Sequence, residues 1–150
     1  MKKGILLAVA LLCFAFSSQA QSQSKELYTA IMKNNAAATE KLLAAGANPN
    51  ATIEIVPGFP TTYLIAAAGN GNLDVVKALL KHKAQINQPD AFKATALMTA
   101  AGKGNKAIVE FLLANGADAK AKDDDGKDAL SLAKEAGSKE VATLLEQRTK

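Results

Sequence analysis

Residues 62–87 read TYLIAAAGNGNLDVVKALLKHKAQIN, and this stretch decides the fold. Its first half is short and alanine-rich, Leu64-Ile65-Ala66-Ala67-Ala68, and Leu64 supplies a knob. Small side chains of this kind let neighbouring helices approach closely. Gly71 follows, a residue that takes a left-handed backbone without a Cβ clash. Its second half places Val75, Val76, Leu79 and Leu80 at helical spacing. The stretch therefore predicts two helices joined by a tight turn.

The same design recurs three more times. Residues 25–50 read KELYTAIMKNNAAATEKLLAAGANPN, residues 95–120 read TALMTAAGKGNKAIVEFLLANGADAK, and residues 128–147 read DALSLAKEAGSKEVATLLEQ. The third position is leucine in all four, at Leu27, Leu64, Leu97 and Leu130, with separations of 37, 33 and 33. The left-handed position holds Asn34, Gly71, Gly104 and Gly137, always seven residues after that leucine. Gly46-Ala47 and Gly116-Ala117 are helix C-terminal signals. Lys83-Ala84 stands in their place in the second unit, a weaker stop.

Four such units resemble ankyrin repeats over residues 25–147. The segments that carry the resemblance best are Leu73 to Leu80 and Phe111 to Asp118. It implies an all-α helix–turn–helix solenoid of four repeats, about 25–57, 58–90, 91–123 and 124–147, with short hairpin fingers between them. It also implies a non-catalytic module that binds a protein through its fingers and concave face. In the family, a Thr and a His near the start of each unit join adjacent repeats. The His position here holds Tyr28, Ile65, Met98 and Ser131. The expectation is that packing alone carries the stack, with the first and last units as polar-faced caps.

The N-terminus reads as a leader. Met1-Lys2-Lys3 is a basic head, Gly4 to Phe16 an apolar run of thirteen residues, and Ser18-Gln19-Ala20 a small-x-small cleavage site. Cleavage between Ala20 and Gln21 would release residues 21–150 to the periplasm or the exterior. An uncleaved anchor is the alternative, although a membrane span needs about 20 residues. Cys13 is the single cysteine and leaves with the leader, so the mature chain has neither disulfides nor thiolate metal ligands. Loss of Lys2 and Lys3 leaves 16 basic against 14 acidic residues, which is no nucleic-acid footprint.

Catalytic and metal motifs fail on inspection. His82 is the only histidine, and it ends a predicted helix, where a cation is favoured. Alone it supports no multi-ligand metal site, and no cofactor is expected. Asp123-Asp124-Asp125-Gly126 lacks the first and twelfth ligands of a calcium loop, because Ala121 and Leu132 occupy those positions. It reads instead as the turn between units. Gly102-Lys103-Gly104 has neither the spacing nor the context of a phosphate loop.

One joint departs from the others. Seven residues separate the units at 88–94 and at 121–127, but eleven do so at 51–61. The long joint carries Ile53, Ile55, Val56 and Phe59, with Pro57, Gly58 and Pro60 to shape an ordered turn. Its β-branched run from Thr52 to Val56 reads as a strand arm. Counted back from Thr62 and Thr95, Phe59 and Phe92 take the same place in successive fingers, and Asp125 takes it in the third. Two readings follow: the rings fold onto their own helices as satellite core, or they form an exposed patch for a partner.

The candidate protein-binding residues are accordingly Ile55, Val56, Phe59, Phe92, Lys93, Asp124 and Asp125 on the fingers, with Gly69, Asn70 and Lys103 on the concave helices. Lys77 and Lys81 are expected on the opposite, convex side. The partner is expected to be a protein, the chain by itself a monomer, and stable membrane insertion absent. An accessory factor for an envelope enzyme, as some exported bacterial ankyrin-like proteins are for oxidative-stress enzymes, competes with an inhibitor or immunity protein against a toxin. An enzyme or ligand carrier is a distant third.

Overall fold

The computed structural model describes residues 21–149; the leader expected at 1–20 lies outside the described residues. Four helix pairs follow one another. They are α1 (21–32) with α2 (Ala36–Ala44), α3 (Tyr63–Asn70) with α4 (Leu73–Lys81), α5 (Ala96–Gly102) with α6 (Lys106–Ala114), and α7 (Ala129–Glu135) with α8 (Lys139–Thr149). The first helices of the pairs stand in one row, α3 against α5 and α5 against α7. The second helices stand in another, α2 against α4, α4 against α6 and α6 against α8. One apolar core runs through all four pairs. Ala67, Ala68, Ala100, Ala101 and Ala133 are buried where the first helices meet. Val75, Val76, Leu79, Ile108, Val109, Leu112 and Leu145 are buried from the second row. Among the described residues, no helix is long and apolar enough to cross a membrane.

Helix starts follow local hydrogen-bond rules. Thr62, Thr95 and Asp128 cap α3, α5 and α7, each accepting the N–H three residues on. Ser131 donates both its N–H and its hydroxyl to the Asp128 carboxylate, which holds that group below its usual pKa. Asn35, Asn72 and Asn105 cap α2, α4 and α6 in the same way. The turn residues Asn34, Gly71, Gly104 and Gly137 all have positive φ, as their spacing requires. Lys83 also adopts φ 70 and ends α4 as Gly46 and Gly116 end α2 and α6. The stop at Lys83 thus has the same geometry, at the steric cost of a Cβ in the left-handed region.

Gly104 carries a second constraint. A Cβ there would meet Ser138 Oγ at 2.5 Å, whereas one at Gly116 would meet nothing within 4 Å. Gly116→Ala should cost about 1 kcal/mol for the left-handed backbone alone. Gly104→Ala should cost more, and urea unfolding of the two variants gives the difference. Equal costs would mean that the Ser138 hydroxyl simply swings aside.

Two expectations need correction. Only the first joint forms a β-hairpin, β1 (Thr52–Val56) against β2 (Phe59–Thr62); the fingers at 88–94 and 121–127 are turns without strands. Seven residues leave room for little beyond a turn closed by an aspartate. Asp90 Oδ1 accepts the N–H groups of Phe92 and Ala94, and Asp123 Oδ1 those of Asp125 and Lys127. Nor does packing alone carry the stack. Asn72 and Asn105 donate their amides to the Asn34 and Gly71 carbonyls of the preceding unit. Asn50 donates to Lys83 O at 3.1 Å and accepts from Gln85 N at 2.7 Å. Asn87 repeats this with Gly116 O and Asp118 N. An asparagine amide is donor and acceptor at once, so it replaces the missing Thr/His tie.

Candidate protein-binding surface

The hairpin owes its shape to its tip and to one irregularity. Pro57 and Gly58 form the tip, with Gly58 at φ 84, the proline-then-glycine order of a type II turn. Thr52 pairs with Thr62, Ile53 with Thr61 and Glu54 with Pro60, but Val56 then pairs with Phe59. Ile55 is therefore an extra residue, a bulge that breaks the two-residue alternation. Ile53 is half-buried against the core. After the bulge Ile55 and Val56 are both 55% exposed. Simple alternation would have turned one of these two inward.

The aromatic pair lies beside them. Phe59 and Phe92 stack with centroids 5.1 Å apart and planes 12° from parallel. They remain 46% and 51% exposed, which removes the satellite-core reading of the rings. With Met32 these four are the exposed large apolar side chains among the described residues. Neighbouring fingers are also hydrogen-bonded: Ala91 N–H donates to Pro60 O and Asp124 N–H to Phe92 O, each at 3.0 Å. Lys93 Nζ sits 2.7 Å from Asp124 Oδ1, and that bond raises the pKa of the Lys93 ammonium. Asp125 is exposed at the tip of the third finger.

The concave-helix candidates divide. Lys103 is exposed at the end of α5. Gly69 is half-buried, with Thr99 Cγ2 3.4 Å from where its Cβ would be, so it serves the approach of α3 to α5. The Asn70 amide donates to Ile31 O at 3.2 Å and reaches Met32 Sδ at 3.5 Å, tying α3 to α1. Gly69 and Asn70 thus act within the stack, while Ile55, Val56, Phe59, Phe92, Lys93 and Asp124 gather on the fingers.

The sequence reading missed a polar cluster on the second row. Lys81 Nζ and His82 Nε2 both reach Glu40 Oε1, at 2.6 and 3.0 Å, and this holds the Glu40 carboxyl below its usual range. Lys81 is thus engaged between units and is not a bystander on the convex side. Nothing in the sequence brings Glu40 to His82, because the two lie in different units. Among the described residues, no group of three His, Cys, Asp or Glu side chains is placed to hold a metal ion. The Asp123 carboxylate is occupied by its own turn.

The family model described as Ankyrin repeats (3 copies) matches the chain over residues 27–123 and again over residues 64–149. No curated protein matches the chain.

Proposed function

The chain belongs to the ankyrin-repeat family, and from that premise we propose that it binds one protein partner through its fingers, with the lengthened first finger as the principal contact. Ankyrin repeats are typically non-catalytic binding modules, and the family implies protein binding. The observation that carries the finer reading is the stacked, half-exposed Phe59–Phe92 pair bordered by Ile55 and Val56. A contiguous apolar patch held in water marks a partner site, and aromatic residues dominate such sites. The bulge at Ile55 supports the same reading, since it turns outward a side chain that plain alternation would place inward.

The partner is proposed to reside in the cell envelope. The basic head, apolar run and small-x-small site of residues 1–20 support export, and with it an accessory role toward an envelope enzyme. Mass spectrometry of the native protein should show an N-terminus at Gln21; a full-length chain retained in the cytosol would overturn export. The binding claim is tested by affinity capture from envelope extract. The protein, as the cell processes it, is compared with a variant whose joint at 51–61 is cut to the seven residues of its neighbours. A partner kept by the first and lost by the second is the expected result. Equal capture by both would sink the finger as the contact.

A further inference from the structure

Each finger hands a backbone N–H to the one before it: Asp124 in the third donates to Phe92 O in the second, and Ala91 in the second to Pro60 O in the first. At the first finger this ladder ends. β1 has β2 on one side and, among the described residues, no strand on the other. By register, Gly58 takes the place of Ala91 and Asp124, since these three lie 33 residues apart. Its N–H goes to Glu54 Oε2 at 3.3 Å, a carboxylate of its own finger where later fingers use a neighbour's carbonyl. Alongside runs a groove of about 450 Å³, walled by Gln21, Ser24, Lys25 and Tyr28 of α1 and by Ile53 and Glu54 of β1. It lies where a preceding finger would stand.

We propose that the open edge of β1 and this groove take an extended segment of the protein partner, which adds as a third strand to the hairpin and sets a Lys or Arg against Glu54. The inference rests on the reading of the fingers as the binding surface and names how the partner's backbone engages it. An unpaired strand edge is a template for another strand, and strand addition uses main-chain hydrogen bonds for affinity and flanking side chains for selection. A second copy of this chain is a poor occupant. β1 reads Thr-Ile-Glu-Ile-Val, with Glu54 at its centre. Two β1 strands paired about their middles set Glu54 against Glu54, and like charges directly opposite are destabilising. That carboxylate blocks self-pairing and selects a basic residue in a foreign strand.

The test uses two acetylated seven-residue peptides of alternating valine and threonine, one with a central lysine and one with a central glutamate. Each is titrated into the ¹⁵N-labelled protein, purified as the cell processes it, with amide shifts followed by NMR. The lysine peptide should shift the amides of 53–56 and those around Tyr28, and bind at least about threefold more tightly than the glutamate peptide. Glu54→Gln, which keeps an acceptor for the Gly58 N–H, should bring the two peptides to equal affinity. Glu54→Lys should reverse their order. No saturable shift at millimolar peptide, equal affinities for the wild type, or shifts confined to the Phe59–Phe92 patch would each overturn the proposal. So would concentration-dependent dimerisation with the β1 amides protected. Lys77→Ala should leave peptide binding unchanged; if Phe59→Ala loses the native partner while the peptides never bind, strand addition fails and the finger surface stands.

Discussion

Phe59→Ala and Phe92→Ala should each weaken partner binding more than about tenfold, since the ~2 kcal/mol typical of an interface anchor amounts to roughly thirtyfold. The thermal midpoint should fall by only a few degrees. Both rings are about half exposed, so truncation removes only about half the buried area that a core phenylalanine would lose. What the fold does lose is the stacking itself, and aromatic pairs contribute only about 0.5–1.5 kcal/mol beyond their burial. Each ring also braces the other at 5.1 Å, so the double variant should lose less than the sum of the two singles. Lys77→Ala is the control. Its ammonium is exposed on α4 and, among the described residues, reaches only Asp74, at 3.6 Å. Lys81 is unsuitable for this purpose because it holds Glu40 of the neighbouring unit. Titration of the captured partner by calorimetry, beside thermal melts of each variant, decides the matter. Ring variants that keep full binding would overturn the anchor role, and the long joint would then be a tolerated surface insertion.

Leu79→Ala should cost about 2–5 kcal/mol of folding stability, out of a total of roughly 5–15 kcal/mol for an ordinary domain. Leu79 is fully buried in α4, and α4 packs on α2 at one side and α6 at the other. In a stack of repeats, stability is a sum of unit terms and interface terms. A cavity in the second unit weakens its own helix pair and both interfaces at once. Leu145 is equally buried, but it lies in α8, which has only α6 beside it in that row. Leu145→Ala should therefore fray the last unit before it affects the others. Urea unfolding followed by far-UV circular dichroism reads the first effect, and amide hydrogen exchange separates the second. A loss below about 1 kcal/mol for Leu79→Ala would mean that the site collapses around the missing side chain.

Much of this architecture could be read from the sequence because it rests on local rules. Leu27, Leu64, Leu97 and Leu130 at fixed spacing, with a left-handed residue seven positions later, demand a helix, a tight turn and a second helix wherever they occur. The eleven-residue joint, with Pro57-Gly58 and its β-branched arm, already required an ordered projection. Sequence alone thus determined the repeat, its helix pairs, the left-handed turns and the longer first finger. Each depends on backbone sterics and hydrogen bonds within a few residues.

Tertiary structure alone decided which partners meet across units. Phe59 and Phe92 are 33 residues apart in the chain, and both a buried and an exposed fate suit a phenylalanine there. Only the stacking of one finger on the next leaves the rings face to face in water. The same holds for Asn50 with Lys83, Glu40 with His82, and Asn70 with Ile31. An asparagine or a glutamate carries no mark of which distant carbonyl or cation it will face. That choice follows from the rotation and spacing between repeats, which the summed packing of the whole core sets. The bulge at Ile55 belongs to this class as well. Five residues of β1 facing four of β2 must lose one pairing somewhere, and the place is set by how the hairpin rests on the helices beneath it.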